Sequence, residues 1–205
     1  MIAVLDYGIG NLRSAQKGLE HAAGPGVEVR LATTAADAEG ATGVVLPGVG
    51  AFGRCMQALT ESGLDVVAKD AVAARIPFLG VCIGMQLLFE GSEEDPEVAG
   101  LGLLPGRVRL LPDDVKRPQM QWNTLAIRHR EDPLFADIPE GSWVYFVHSY
   151  AATTATGLIS ATTDYGGPVV AAVAMENLWA TQFHPEKSGA VGLRLLANFA
   201  RLCAA

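Results

Sequence analysis

The sequence predicts an α/β domain with a mainly parallel central sheet, flanked by helices and followed by an antiparallel extension. Before Gly91, short apolar segments alternate with helical patterns; after it, apolar segments are separated mostly by turn residues alone. Strand–turn–helix repeats build parallel sheets covered on both faces, whereas strands joined by short turns pair antiparallel. No internal repeat or linker interrupts the 205 residues, so we expect a single domain spanning residues 1–205.

The first half contains the alternating part of this pattern. Short runs rich in Ile, Val and Leu, bounded by glycine or proline, predict strands at 2–5, 27–31, 43–46 and 77–81. Helical spacing of apolar residues predicts helices at 12–23, 52–75 and 85–89, the second interrupted near Ser62-Gly63.

The second half contains the antiparallel extension and one closing helix. Strands are predicted at 101–111, 122–128, 142–147, 158–162, 169–175 and 178–183. A final helix is predicted from Ser188 to Leu202, with Ser188 as its N-cap.

Composition excludes several classes of protein. The net charge is −7 and the pI about 5.0, which argues against a nucleic-acid binder or a polybasic membrane-surface protein. No apolar tract is long enough for a lipid span, and the N-terminus lacks the basic region of a signal peptide. Three cysteines without CxxC pairing indicate neither a disulfide framework nor a zinc site. We therefore expect a cytoplasmic protein with reduced thiols and no metal or organic cofactor.

The strongest local motif surrounds Cys82. Gly80-Val81-Cys82-Ile83-Gly84 follows a buried strand and opens a helix, which is the pattern of a nucleophile elbow with cysteine as the nucleophile. Glycines allow the tight turn, and the helix N-terminus favours a thiolate. Cys55 and Cys203 lie among apolar neighbours in helical segments, and we interpret both as core residues.

A base and its orienting carboxylate follow the strand that ends at Phe183. His184 and Glu186 are two residues apart, so their side chains point the same way in extended backbone. Catalytic groups gather where parallel strands end, and a thiol nucleophile needs a base that a third group orients. We therefore predict a triad of Cys82, His184 and Glu186, although spacing alone does not prove that the first two meet.

Acyl transfer also requires N–H donors for the developing oxyanion. The Gly-flanked segment Gly48, Val49 and Gly50 follows a buried strand, and the N–H of Ile83 follows the nucleophile. We expect these residues to form the oxyanion hole. The other Gly-rich turn, Asp6-Tyr7-Gly8-Ile9-Gly10-Asn11, lacks G-x-G-x-x-G spacing and is not interpreted as a nucleotide site.

Together these motifs resemble the class I (triad) glutamine amidotransferases, which combine a G-x-C-x-G elbow with an H-P-E strand end. Within that family the sequence is similar to the glutaminase subunits of imidazole glycerol phosphate synthases, over nearly the whole chain and in the same order. The matching segments are DYGIGNLRS (6–14), LPGVGAFG (46–53), GVCIGMQLLFEGSEE (80–94), PQMQWN (118–123), YFVHSY (145–150) and QFHPEKSG (182–189).

This resemblance implies a flavodoxin-like fold and the hydrolysis of L-glutamine through a Cys82 thioester. Ammonia would pass to a (β/α)8-barrel cyclase subunit, in a heterodimer that makes imidazole glycerol phosphate and aminoimidazole-carboxamide ribotide for histidine biosynthesis. The implied glutamine-binding residues are Gln86, His148, Ser149 and Tyr150. The implied cyclase-facing residues are Asn11, Trp122, Asn123 and Lys187.

One departure and two alternatives accompany this interpretation. The family's usual M-G-W-N stands here as M-Q-W-N, and Gln121 would be unfavourable if the backbone there required a positive φ. The alternatives are the glutaminase of another amidotransferase and a free-standing γ-glutamyl cysteine hydrolase. A non-catalytic binding module would require a broken triad, and the sequence has none.

Overall fold

The computed structural model describes residues 1–204. The first half contains strands β1 (Ile2–Leu5), β2 (Val29–Ala32), β3 (Gly43–Leu46) and β4 (Phe78–Val81), and helices α1 (Leu12–Ala23), α2 (Phe52–Glu61), α3 (Leu64–Ala73) and α4 (Ile83–Leu87). The second half contains β5 (Arg107–Leu110), β6 (Gln119–Thr124), β7 (Ala126–Ile127), β8 (Trp143–His148), β9 (Tyr150–Thr153), β10 (Ile159–Asp164), β11 (Pro168–Met175) and β12 (Leu178–Thr181). Helix α5 (Gly189–Leu202) follows.

The main sheet has eight strands in the order β2-β1-β3-β4-β12-β11-β10-β7. The five strands from β2 to β12 are parallel, and β11, β10 and β7 extend the sheet in antiparallel fashion. Two further antiparallel pairs, β5 with β9 and β6 with β8, form small separate sheets. The predicted α/β class, with a mainly parallel sheet and an antiparallel extension, is confirmed.

Helices cover both faces of the sheet because alternate side chains of each strand point to opposite sides. In β1, Leu5 belongs to one core cluster and Val4 to the other. The first cluster includes Leu59 of α2, and the second joins Leu19 of α1 to Phe199 of α5. Among residues 1–204, no helix is long and apolar enough to cross a membrane.

Three sequence predictions about the second half were wrong in detail. The strand expected over 101–111 is confined to β5, because residues 100–104 bond back to the backbone of 87–90. The strand expected over 122–128 divides at Leu125 into β6 and β7, which join different sheets. Strand β9 was not predicted, since its sequence, Tyr-Ala-Ala-Thr, carries no strong strand pattern.

Ser188 precedes α5 as predicted, but its side chain does not cap the helix. Its hydroxyl donates to the carbonyl of His184 at 2.7 Å and accepts from the backbone N–H of Tyr145 at 3.0 Å. Ser188 therefore fastens the His184 turn to β8, and its backbone carbonyl alone accepts the first hydrogen bond of the helix, from Gly192.

Candidate active site

The turn between β4 and α4 has the geometry predicted for a nucleophile elbow. Cys82 has φ 54° and ψ −112°, a strained conformation for a residue with a side chain. A Cβ on Gly84 would overlap the carbonyl of Leu46, and one on Gly80 would lie 2.8 Å from Leu88. The two glycines are therefore required by close packing, and the elbow presents Cys82 at the start of α4.

Sheet pairing brings the second half of the predicted triad to this elbow. Strand β12 lies directly beside β4 in parallel register, with Thr181 opposite Val81, and the Cys82 N–H donates to the Thr181 carbonyl at 2.8 Å. His184 follows β12 at the same edge of the sheet as Cys82. Its Nδ1 lies 2.8 Å from Oε1 of Glu186, and both side chains are almost fully buried.

The environment of His184 favours its protonated form. Burial alone would lower the pKa, but the Cys82 and Glu186 side chains outweigh that effect and raise the pKa of His184 to about 9. The bond to Glu186 fixes the proton on Nδ1 of the neutral ring. Nε2 is then the nitrogen that exchanges a proton with the reaction.

The thiol and the imidazole are neighbours without being hydrogen-bonded in this conformation. Nε2 of His184 has no hydrogen-bond partner among residues 1–204. The Cys82 sulfur lies 4.0 Å from the carbonyl oxygen of Val147 and 3.8 Å from Nε2 of Gln182. Catalytic hydrogen bonds commonly tighten only when substrate is bound.

A cavity of about 420 Å³ opens over Cys82, a size that suits a small ligand. It gathers the nucleophile, the base, part of the oxyanion segment and all four predicted glutamine-binding residues. Its lining consists of Val49, Gly50, Cys82, Ile83, Gln86, Glu94, Pro118, Val147, His148, Ser149, Tyr150, His184 and Lys187.

Two side chains of the core donate hydrogen bonds to backbone carbonyls in and next to the oxyanion segment. The Tyr7 hydroxyl donates to the carbonyl of Pro47 at 2.9 Å, and the Cys55 thiol donates to that of Val49 at 3.6 Å. Gly48 does not line the cavity: it packs between the Tyr7 hydroxyl and Ile83, and a Cβ there would overlap that hydroxyl. Cys55 is therefore a buried residue of the core that also supports the site.

The remaining oxyanion candidates face the cavity. Gly50 has φ +120°, a conformation that glycine adopts without strain. Ile83 is the first residue of α4, so its N–H has no acceptor within the helix. Burial raises the pKa of Cys203, the third thiol, to about 12, and this residue lies in the core, as predicted.

Gln86 and His148 converge on one backbone carbonyl. Nε2 of Gln86 lies 2.9 Å from the Tyr150 oxygen, and Nδ1 of His148 lies 2.8 Å from it. Because a carbonyl only accepts, both nitrogens donate. Oε1 of Gln86 is left buried without a partner within the described residues 1–204. Gln86, which lines the cavity, thus carries an unused acceptor of the kind that suits the α-ammonium group of an amino acid.

The other nitrogen of His148 determines how Gln119 is oriented. Burial lowers the pKa of His148 to about 4, so the ring is neutral and its Nε2 is an acceptor. The atom that lies 2.9 Å from Nε2 is placed as Oε1 of Gln119. Because a neutral ring that donates from Nδ1 can only accept at Nε2, we assign the NH₂ group of Gln119 to that position instead. His148 therefore holds the 148–150 turn in place with both ring nitrogens.

Glu94 is a cavity residue that the sequence reasoning did not select. Its carboxylate accepts from the N–H of Phe52 at 2.8 Å, and Asp95 accepts from the N–H of Gly53 at 2.8 Å. Both carboxylates thus cap α2 immediately after the oxyanion segment, where the helix dipole favours negative charge. The acidic sequence Ser-Glu-Glu-Asp at 92–95 is the feature from which these carboxylates could have been selected.

Of the four predicted cyclase-facing residues, Lys187 lines the cavity over Cys82, whereas Asn11, Trp122 and Asn123 do not. Trp122 is 47% exposed and packs edge-on against Tyr145, and Nζ of the exposed Lys187 lies 6.0 Å from the same ring. Asn11 is exposed before α1, without a side-chain cap. Asn123 is engaged internally, donating to the Asp164 carbonyl and accepting from the N–H of Thr124, both at 2.8 Å.

Gln121 causes no backbone strain. It lies within β6, paired with Phe146 of β8, and its φ is not positive. The conformational objection to glutamine at this position does not apply, because an extended residue needs no glycine.

Comparison with known proteins identifies the family of the chain. The family described as "Glutamine amidotransferase class-I" matches residues 3–203. The imidazole glycerol phosphate synthase subunit HisH of Synechococcus sp. (strain JA-3-3Ab) is 51% identical, with 99% of this chain and 94% of the relative covered. The Deinococcus radiodurans protein of the same name is 48% identical, with 98% and 93% covered.

Solved structures share the fold at low sequence identity. One described as a glutamine amidotransferase has a TM-score of 0.77 at 20% identity, covering 100% of this chain and 99% of that one. The glutaminase domain of Trypanosoma brucei CTPS with bound acivicin has a TM-score of 0.69 at 20% identity, covering 99% and 93%. By its fold, its elbow and its full-length relatives, the chain belongs to the class I glutamine amidotransferase family, the family of the HisH subunits.

Proposed function

We propose that this protein is the glutaminase subunit of an imidazole glycerol phosphate synthase. It hydrolyses L-glutamine and passes the ammonia to a cyclase subunit, which makes imidazole glycerol phosphate and aminoimidazole-carboxamide ribotide in histidine biosynthesis. The main support is the buried His184–Glu186 pair beside the strained Cys82 elbow, in a chain about half identical to HisH subunits. Assignment to the cytoplasm is supported by three free, buried cysteines.

In the first half-reaction the Cys82 sulfur attacks the side-chain carbonyl carbon of L-glutamine. The thiol proton is transferred to Nε2 of His184, which the raised pKa of that imidazole favours. Backbone N–H groups of Ile83 and of the 49–50 part of the oxyanion segment, which line the cavity, donate to the oxyanion. The C–N bond then breaks, His184 gives the proton to the departing nitrogen, and ammonia leaves a thioester on Cys82. Glu186 keeps the imidazole oriented and favours its charged form.

In the second half-reaction water attacks the thioester carbonyl and His184 accepts its proton. The C–S bond breaks, glutamate is released, and the proton returns to the thiol or remains on the imidazole. The assembled enzyme is thus an amide hydrolase coupled to a lyase, in a one-to-one heterodimer with the cyclase.

Exposed apolar residues beside the cavity support the association with a cyclase subunit. Met120 and Trp143 are 61% and 58% exposed and, like Trp122, they belong to the β6–β8 pair beside the cavity. Together with Val49 and Lys187 they form a surface that an ammonia-consuming partner would cover. The oxyanion segment borders this surface, so a docked cyclase could control glutamine hydrolysis.

The test is glutamate release from glutamine by the purified chain, alone and with a cyclase subunit plus its nucleotide ligand. We expect low activity alone and strong stimulation by the liganded cyclase. High activity that no second protein changes would contradict the subunit role and favour a free-standing hydrolase.

Cys82→Ala provides the matched control, because it removes the nucleophile and little volume. We expect it to abolish glutaminase activity while the cyclase paired with it still works on ammonium salts. Retained glutaminase activity in this variant would refute the thioester mechanism.

A further inference from the structure

Gln182, two residues before His184, is a buried polar residue to which the mechanism above gives no role. It is fully buried and lies between Gln86 and Cys82. Its Oε1 is 2.9 Å from Nε2 of Gln86, and its Nε2 is 3.8 Å from the Cys82 sulfur. These contacts join the nucleophile to the glutamine-binding side of the cavity.

The Tyr150 carbonyl determines which atom donates in each hydrogen bond of the series that runs from Tyr150 through Gln86 and Gln182 to Cys82. The Tyr150 carbonyl can only accept, so the end of the Gln86 amide that meets it is the NH₂ group. The same NH₂ group meets the oxygen of Gln182, so the NH₂ group of Gln182 must face Cys82. The Tyr150 carbonyl thus determines the orientation of both amides, and an N–H group of Gln182 is directed at the sulfur, with its nitrogen 3.8 Å away.

The surroundings make that donor important once the sulfur is ionised. The Val147 carbonyl, 4.0 Å from the sulfur, can accept from an S–H group but repels a thiolate. The Gln182 amide has the opposite preference, because hydrogen bonds to charged acceptors are the stronger ones. Since this network is buried, little solvent screening weakens either effect.

We propose that Gln182 is a catalytic residue, which holds the Cys82 thiolate through a hydrogen bond from its side-chain NH₂ group and is itself oriented by Gln86 and the Tyr150 carbonyl. The role rests on the proposed function, since it assigns a further group to the same nucleophile. It can nevertheless be tested without glutamine, because it concerns the reactivity of the sulfur.

The first variant is Gln182→Glu. Its carboxylate still accepts from Gln86 but no longer donates to the sulfur, and its buried charge also repels a thiolate, so its result is read together with that of a neutral variant. The probe is iodoacetamide, with alkylation of the Cys82 peptide followed by mass spectrometry in the full chain. At pH 7 we expect alkylation at least about tenfold slower than in wild type, from the loss of one hydrogen bond to a charged group.

Gln182→Met is the second variant, since it removes the donor without adding a buried charge. We expect a similar, roughly tenfold slower alkylation. Far-UV circular dichroism and thermal unfolding identify which variants fold. If Gln182→Glu does not fold, the alkylation rate of Gln182→Met decides the question. Matched controls are Gln57→Glu and Gln57→Met on the exposed face of α2, which should alkylate at the wild-type rate.

Alkylation within twofold of wild type in a folded Gln182 variant would overturn the proposal. Its failure is distinguishable from failure of the proposed function. Suppose that the wild-type protein released no glutamate while substitution of Gln182 still slowed alkylation of Cys82. The contact between Gln182 and the thiolate would then stand, and only the glutaminase role would be refuted.

Discussion

Replacing Gly48 by alanine should damage the oxyanion segment, and the structure identifies the atom responsible. The new Cβ would overlap the hydroxyl of Tyr7 and lie 3.3 Å from Ile83. Neither neighbour can move freely, because the hydroxyl bonds to the Pro47 carbonyl at 2.9 Å and Ile83 begins α4. Overpacking of this kind costs about 1–3 kcal/mol of unfolding free energy. Displacement of one oxyanion donor lowers kcat roughly 100-fold.

Tyr7→Phe tests whether that overlap is the cause. Alone it should cost about 1 kcal/mol, since the Pro47 carbonyl loses its buried donor. In the double variant the overlapping oxygen is absent, so the two costs should fall short of additivity by about 1–2 kcal/mol. Rescue will be partial, because the contact with Ile83 remains.

The assay is urea unfolding of the four proteins of this cycle, together with cyclase-stimulated glutaminase rates. Gly157→Ala is the matched control, because a Cβ there meets nothing within 4 Å and should change neither property. Wild-type stability and activity in Gly48→Ala would refute the packing argument, and strict additivity would show that the hydroxyl is not the obstacle.

Two further predictions separate catalytic from structural carboxylates. The imidazolium of His184, with its pKa raised to about 9, persists below that pH and is lost above it, so glutaminase activity should fall as pH rises through about 9. Glu186→Gln keeps an acceptor but removes the charge, and should move this alkaline limb down by about one to two units; an unmoved limb in the pH–rate profile would contradict the assignment. Asp132→Ala leaves buried donors of Trp179, Leu134 and Ser160 unpaired, and should lower unfolding free energy by about 3 kcal/mol. The glutaminase rate per folded molecule should remain unchanged, since Asp132 does not line the cavity. The folded fraction is measured by thermal unfolding, and a lower rate per folded molecule would contradict this prediction.

The sequence contained enough to predict the fold class and the elements of the parallel half. Their apolar runs are bounded by glycine and proline, and helix α1 has the bounds that its spacing predicted. The adjacency of β4 and β12 could not be derived from spacing. It requires a crossover of about one hundred residues, and only the packed sheet shows that Cys82 and His184 share an edge.

What the sequence could not supply is the identity of buried polar partners. Ser188 looked like a helix cap, but its hydroxyl fastens the His184 turn to β8. Gln182 lay within a recognised motif without an evident role, because an amide has four hydrogen-bonding sites and its neighbours come from distant segments. Such roles depend on three-dimensional contacts that no local pattern encodes.

Buried polar groups in this protein differ in how completely they are hydrogen-bonded, and the difference is informative at the site. Asp132 receives three hydrogen bonds and does not line the cavity over Cys82, as expected of a group that only stabilises. Among residues 1–204, three buried side-chain atoms have no partner: one on the Gln119 amide, Oε1 of Gln86 and Nε2 of His184. The last two belong to residues that line the cavity over Cys82. Each unpaired atom costs the folded chain about 1–3 kcal/mol. A substrate with an ammonium group and an amide that accepts a proton would satisfy Oε1 of Gln86 and Nε2 of His184, so two of these three unpaired atoms lie where glutamine would bind and react.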